Sequence, residues 1–184
     1  MEREDVNPDR GDTKYSRAPL SWTAENGDEG IVKMLLERED VNPNLVDTEY
    51  GWTPLSWAAE NGNEGIVKML LEREDTNPNQ ADAEHTRTPL MWAAINSHEG
   101  IVKILLARED VNTNQADTKF GRTPLWWAVD CGNEGVVKML LERGDVDPNR
   151  VDPFYDRTPL SWAAQTRNEG IVKILLERED VDPN

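Results

Sequence analysis

The dipeptide Pro-Leu recurs at Pro19, Pro54, Pro89, Pro124 and Pro159, always 35 residues apart. A fixed period of this length means copies of one small unit, each too short to bury its own apolar face. The chain is thereby restricted to a stack in which every unit packs on its neighbours. One copy, from Asp47, reads DTEYGWTPLSWAAENGNEGIVKMLLEREDTNPNQA, and the others begin at Asp12, Asp82, Asp117 and Asp152. We divide the chain into the tail of a preceding unit at 1–11 and five units at 12–46, 47–81, 82–116, 117–151 and 152–184.

Each unit encodes two helices. The Thr53 hydroxyl can accept from a free backbone N–H, and Pro54 fits the first helical turn. Leu55, Ala58 and Ala59 fall at i, i+3 and i+4, one helical stripe. Gly62 ends this short helix by tolerating the left-handed conformation. Asn63 is expected to cap the second helix, with Glu64 at its positive end. Ile66, Val67, Met69, Leu70 and Leu71 then form a wide apolar arc, leaving Lys68 and Glu72 to solvent. So wide an arc suits a helix packed on its partner and on units at both sides.

The residues Thr-Pro-Leu-x-Trp-Ala-Ala, followed by Glu-Gly-Ile-Val-Lys-x-Leu-Leu, resemble the ankyrin repeat, whose signature begins Thr-Pro-Leu-His-x-Ala. The resemblance covers essentially the whole chain. It implies an all-α solenoid of helix-turn-helix units with extended finger loops beside a concave face. It also implies a non-catalytic protein-recognition module that needs no cofactor. Three features depart from the family pattern. The period is 35 rather than about 33, with the surplus at 72–82. The histidine after Pro-Leu is replaced by Ser21, Ser56, Met91, Trp126 and Ser161, and the glycine after the second helix is present only as Gly144. The wording further resembles the long ankyrin arrays of fungal NACHT/NLR-like receptors, where an array senses a ligand and an NTPase domain lies elsewhere. This chain carries no G-x-x-x-x-G-K-[ST] phosphate loop.

A formal charge of −16 argues against nucleic acid, whose binding depends on Lys and Arg displacing counterions, and against anionic membrane surfaces. It favours a protein partner with a basic face. Only 37% of residues are hydrophobic, but they cluster in the helices. Cys131 is the sole cysteine, which excludes an internal disulfide and fits a reducing, cytoplasmic setting. No run of about 18 apolar residues offers a membrane span. The last second helix keeps Ile171, Val172, Ile174, Leu175 and Leu176, like an internal one, so head-to-tail self-association of the uncapped chain is expected.

Five copies permit an internal comparison. Pro-Leu, the following Trp, Glu-Gly, Val-Lys, Leu-Leu and the Asp12 column never vary. Variation concentrates in the finger, at Lys14, Glu49, Glu84, Lys119 and Phe154, at Tyr15, Tyr50, His85, Phe120 and Tyr155, and at Arg17, Trp52, Arg87, Arg122 and Arg157. It concentrates again at the end of the first helix. There Glu25, Glu60, Ile95, Asp130 and Gln165 form one column, Asn61, Cys131 and Thr166 belong to the next, and Arg167 replaces a glycine. Met91 and Trp126 vary inside the helix. A kept framework with one variable face points to partner binding through these residues. Drift at exposed positions is the plainer alternative.

The tryptophans divide. Trp22, Trp57, Trp92, Trp127 and Trp162 form a column that reads as a packing ladder, with a ligand strip as the alternative. Trp52 and Trp126 are not demanded by the framework and read as exposed hot spots. The Arg row can also stack on the tryptophans as cation–π pairs. Asp145-x-Asp147-x-Asn149 resembles the start of a calcium loop, but Arg150 stands where that loop needs glycine, so no metal is expected. The Glu-Arg-Glu-Asp stretches read as a solvated acidic face. His85 and His98 are the only histidines, and no catalytic constellation forms. Two other readings remain: a structural spacer, or a receptor for a small aromatic or peptide ligand in a Trp-lined groove.

Overall fold

The computed structural model describes residues 6–183; residues 1–5 of the leading tail and Asn184 lie outside the described residues. Among the described residues ten helices form five pairs: α1 (Pro19–Asn26) with α2 (Glu29–Leu36), α3 (Pro54–Asn61) with α4 (Glu64–Leu71), α5 (Pro89–Ile95) with α6 (Glu99–Leu106), α7 (Pro124–Asp130) with α8 (Glu134–Glu142), and α9 (Pro159–Gln165) with α10 (Glu169–Leu176). Among the described residues no strand is present beyond one isolated bridge between Asp152 and Arg157. Among the described residues no helix is long and apolar enough to cross a membrane.

The first helices start as their sequence dictates. The hydroxyls of Thr53, Thr88, Thr123 and Thr158 accept from the N–H groups of Ser56, Met91, Trp126 and Ser161, while Ala18 offers α1 no such cap. That missing bond costs about 1 kcal/mol. Gly27, Gly62 and Gly132 leave their helices in the left-handed conformation, and Ser97 and Arg167 adopt it with side chains at φ of 61° and 58°.

The second helices start differently from expectation. Asn63 makes no cap bond to its own helix. Its Nδ2 instead donates to the carbonyls of Ala24 (2.8 Å) and Glu25 (3.1 Å) in the preceding unit. Asn133 reaches Ala94 O at 2.7 Å, and His98 Nε2 reaches Glu60 O at 3.0 Å. The carbonyls ending a first helix have no intrahelical donor, so the neighbouring unit supplies one. Asn168 alone among these caps its own helix, accepting from Ile171 N.

The core lies between the helix layers. Leu55, Ala58, Ala59, Ile66, Val67 and Leu70 are buried with their counterparts in the third and fourth units, while Met69 and Leu71 are half-buried. First helices contact one another more extensively than second helices do, so their layer is the more closely packed, inner side of the stack.

The Glu-Arg-Glu-Asp ends are more than a solvated face. Their glutamates are exposed, but the arginine of each reaches back to the preceding unit. Arg108 Nη1 donates to Leu71 O (2.9 Å), Arg143 to Leu106 O and Arg108 O (both 3.0 Å), and Arg178 to Leu141 O (3.0 Å). The same guanidiniums clamp Asp110, Asp145 and Asp180 through Nε and Nη2. A cation on the last carbonyls of a helix takes the place of the absent glycine cap. Hydrogen bonds from their arginines hold the Asp75, Asp110 and Asp145 carboxyls below the ordinary aspartate range.

Beside this row runs a second one, built by the surplus residues of the 35-residue period. Asn79 accepts from Asn112 N (2.7 Å) and donates to Asp110 O (2.7 Å). Asn44, Asn114 and Asn149 make the same two bonds to the units that follow them. Of the side chains that resemble a calcium loop, Asp147 and Asn149 are engaged with main-chain groups and Asp145 with the Arg143 guanidinium.

Candidate functional site

Each finger is organised by one aspartate, buried in the second to fifth units and half-buried as Asp12 in the first. Asp47 Oδ1 accepts from Glu49 N (3.0 Å) and Tyr50 N (2.7 Å), and Asp47 N donates to Trp52 O (3.1 Å), closing the loop. Its Oδ2 accepts from Trp57 Nε1 at 3.0 Å. Asp117 serves Phe120 N and Trp127 Nε1 in the same way (2.6 and 2.7 Å). A buried carboxylate is tolerable only with such donors. The Asp column and the Trp column, ten residues apart and both invariant, carried this signal in the sequence.

Neighbouring fingers are joined by single main-chain bonds: Thr48 N to Tyr15 O (2.8 Å), Ala83 N to Tyr50 O (3.1 Å) and Thr118 N to His85 O (2.9 Å). Pro153 has no N–H and makes no such bond to the fourth finger. Its ring packs instead on Gly121, where an added Cβ would lie 2.5 Å from Pro153 Cδ. A cleft of about 290 Å³ opens there, lined by Lys119, Phe120 and Phe154 among others.

Behind the fingers runs a continuous ladder of flat groups. Arg17 lies over Trp22 (4.0 Å) and Trp57 (3.6 Å). Trp52 lies between Trp57 and Trp92, with ring centroids 4.5 and 4.6 Å away. Arg87 lies between Trp92 (5.0 Å) and Trp127 (4.5 Å), and Arg122 between Trp127 (5.0 Å) and Trp162 (5.8 Å). Arg157 ends the row over Trp162 (5.6 Å). Each desolvated guanidinium–indole contact is worth about 0.5–2 kcal/mol.

This ladder corrects several sequence readings. Trp52 and Trp126 are not exposed: they retain 9% and 0% of their surface. Trp52 fills the slot that a guanidinium fills in other units. Trp126 sits where the family histidine would be, facing the next unit, with its Nε1 donating to Arg157 O (3.3 Å). Met91 at the same register is equally buried, and Arg17 and Arg122 are buried by the rings they stack on. The remaining positions reach the surface. Lys14, Glu49, Tyr50, Asn61, Glu84, Lys119, Cys131, Phe154, Tyr155, Gln165, Thr166 and Arg167 are exposed. Tyr15, Glu60, His85, Arg87, Ile95, Phe120, Asp130 and Arg157 are half-buried.

The variable column at the end of the first helix governs the ladder's charge. Glu25 pairs with Arg17 (2.6 Å) and Asp130 with Arg122 (2.8 Å), which also meets Asp152 (2.9 Å). Glu60 has no ladder guanidinium in its own unit, because Trp52 occupies that place. Burial raises its carboxyl pKa, the Glu25 charge adds to this, and His98 opposes it. Burial, reinforced by Asp130, likewise raises the Cys131 thiol pKa, which disfavours a reactive thiolate. Among the described residues no group of three or more His, Cys, Asp or Glu is placed to hold a metal ion.

No curated protein sequence matches the chain closely enough to name a relative. The sequence profile described as Ankyrin repeats (3 copies) matches in overlapping registers at residues 4–82, 20–115, 76–152 and 112–184. With five stacked helix pairs and that match along nearly its whole length, the chain belongs to the ankyrin-repeat family.

Proposed function

We propose that the chain is a non-catalytic module that binds a protein partner through its fingers and the exposed ends of its first helices. Ankyrin repeats generally mediate protein–protein interaction. The observation that carries the reading is internal. The residues that join units recur almost unchanged, whereas no exposed column of the fingers or of the first-helix exits is constant through the five copies. The partner presents a basic face, since Glu49 and Glu84 are exposed, Glu60 lacks a ladder guanidinium in its own unit, and the net charge is −16. The setting is a cytoplasmic receptor resembling the fungal NACHT/NLR-like arrays, with this chain in its sensing part. The groove reading is disfavoured, because guanidiniums or Trp52 already cover the indole faces a small aromatic ligand would need.

The isolated chain also self-associates end to end in this reading. Ile31 is 47% and Met34 65% exposed at one end, whereas Ile66, Ile101, Val136 and Ile171 are fully buried by a preceding unit. Leu176 is 54% exposed at the other end.

Quantitative capture from a proteome, with two charge-reversed variants, tests the proposal. Changing Glu49, Glu60 and Glu84 together to Lys should abolish a specific interaction, while Glu37, Glu72 and Glu142 changed to Lys should preserve it. Equal loss in both, or no specific partner, would leave the spacer reading standing.

A further inference from the structure

In the first and fourth units the ladder guanidinium is covered by an acid eight residues later, Glu25 on Arg17 and Asp130 on Arg122. The third unit keeps the guanidinium and both flanking rings but has Ile95 in the acid's place. Among the described residues no carboxylate forms an ion pair with Arg87, whose Nε, like that of Arg17, is closed off from solvent without an acceptor. Arg17 and Arg122 are 4% and 5% exposed, whereas Arg87, lacking its cover, is only half-buried. Arg157 also lacks an acid, since Gln165 stands there, but only one ring, Trp162, holds it.

A guanidinium partly withdrawn from water without a counterion carries an uncompensated desolvation cost. Its orientation is already set by the two indoles, so a carboxylate meets a pre-formed fork of donors and little side-chain freedom is lost on pairing. Ile95 adds an apolar wall suited to the methylenes of a glutamate. We propose that Arg87, held between Trp92 and Trp127, is a carboxylate-binding position filled by an acidic side chain of the protein partner. The partner supplies in trans what Glu25 and Asp130 supply within the chain. This rests on the protein-recognition reading and sharpens it: the partner is basic opposite Glu49, Glu60 and Glu84, and inserts one acidic residue at Arg87.

The test uses the full chain and the indole N–H resonances of Trp92 and Trp127. Three probes are titrated at constant ionic strength: an end-blocked tripeptide with central glutamate, its glutamine counterpart, and an alanine tripeptide with a free C-terminus. The glutamate probe should shift both resonances saturably, the glutamine probe should not, and the free C-terminus should act more weakly. Arg87→Gln should abolish the response. Because Arg87→Gln also removes a stacking group, Ile95→Glu provides the second arm: it fills the position from within and should abolish the response while keeping the stack intact. Equal shifts with glutamine, or a glutamate response that survives Ile95→Glu, would overturn the proposal. A stronger response to the free C-terminus would overturn the side-chain assignment. The peptide response concerns this chain alone, so it stands or falls separately from the capture experiment.

Discussion

Two seams hold the units together, and they differ in what they tolerate. The outer seam, of Arg108-type clamps and Asn79-type bridges, is built from hydrogen bonds to main-chain carbonyls and N–H groups. The clamp residues Arg38, Arg73, Arg108, Arg143 and Arg178 never vary, and the bridge row departs from Asn only at Asp9, which keeps the acceptor half of the bridge to Asn42 N. The inner seam is built from stacked planes. A guanidinium and an indole both offer a flat face to a neighbouring ring, so Arg17, Trp52, Arg87, Arg122 and Arg157 are interchangeable in kind. The inner seam is therefore where the chain can change without falling apart, and the surface beside it is where units have become different.

The largest effects should fall on the inner column itself. Trp57 lies 3.6 Å from the Arg17 guanidinium and 4.5 Å from Trp52, so Trp57→Ala should cost about 3–5 kcal/mol in urea unfolding. Trp126→Ser empties a fully buried site and should approach that cost. Trp52→Arg exchanges one flat group for another and should stay within about 1 kcal/mol of the parent. If Trp52→Arg costs as much as Trp57→Ala, the interchangeability of the ladder is wrong.

Next comes the outer seam. Arg108→Ala removes the donor on Leu71 O and the clamp on Asp110, for a loss of about 1–3 kcal/mol. Arg108→Lys should recover little of it, because one ammonium cannot serve the carbonyl and both carboxylate oxygens. The pH dependence has a fixed sign. Since the folded pKa values of Asp75, Asp110 and Asp145 are depressed, their contribution is present above the ordinary aspartate range and is lost as pH falls through the folded values. Acid titration of the parent against Asp110→Asn should show a shallower decline in the variant.

Smaller effects separate strain from recognition at the variable exits. Arg167 holds the left-handed conformation that glycine holds in other units, so Arg167→Gly should raise stability by about 0.5–1 kcal/mol. Glu60 shows the reverse sign to the clamped aspartates: with its folded pKa raised, its ionised form weakens the fold as pH rises. Glu60→Gln should gain a few tenths of a kcal/mol at neutral pH, of the order usual for surface changes. The gain should vanish below the glutamate range. The same variant should bind the basic partner less well.

Most of the architecture was legible because it is periodic: helix pairs, Thr caps, Gly exits and apolar stripes follow from spacing alone. Three things were not. Asn63 was assigned to its own helix because capping is a local rule, whereas its acceptor lies about one unit back in space. The clamps of Arg73 and Arg108 look like surface charge until the neighbouring carbonyls are placed. Trp52 and Trp126 looked exposed because they break the repeat, yet Trp52 breaks it by replacing one planar group with another, and Trp126 by filling a buried contact.

The most direct test of the account is an amide-exchange footprint of the chain in complex with its captured partner. Added protection should fall on the fingers and on the ends of α3, α5 and α7, centred on Glu60 and Arg87. The outer faces of α4, α6 and α8, with Lys68, Lys103 and Lys138, should exchange as in the free chain. Protection confined to those second helices would contradict the assignment of recognition to the inner seam.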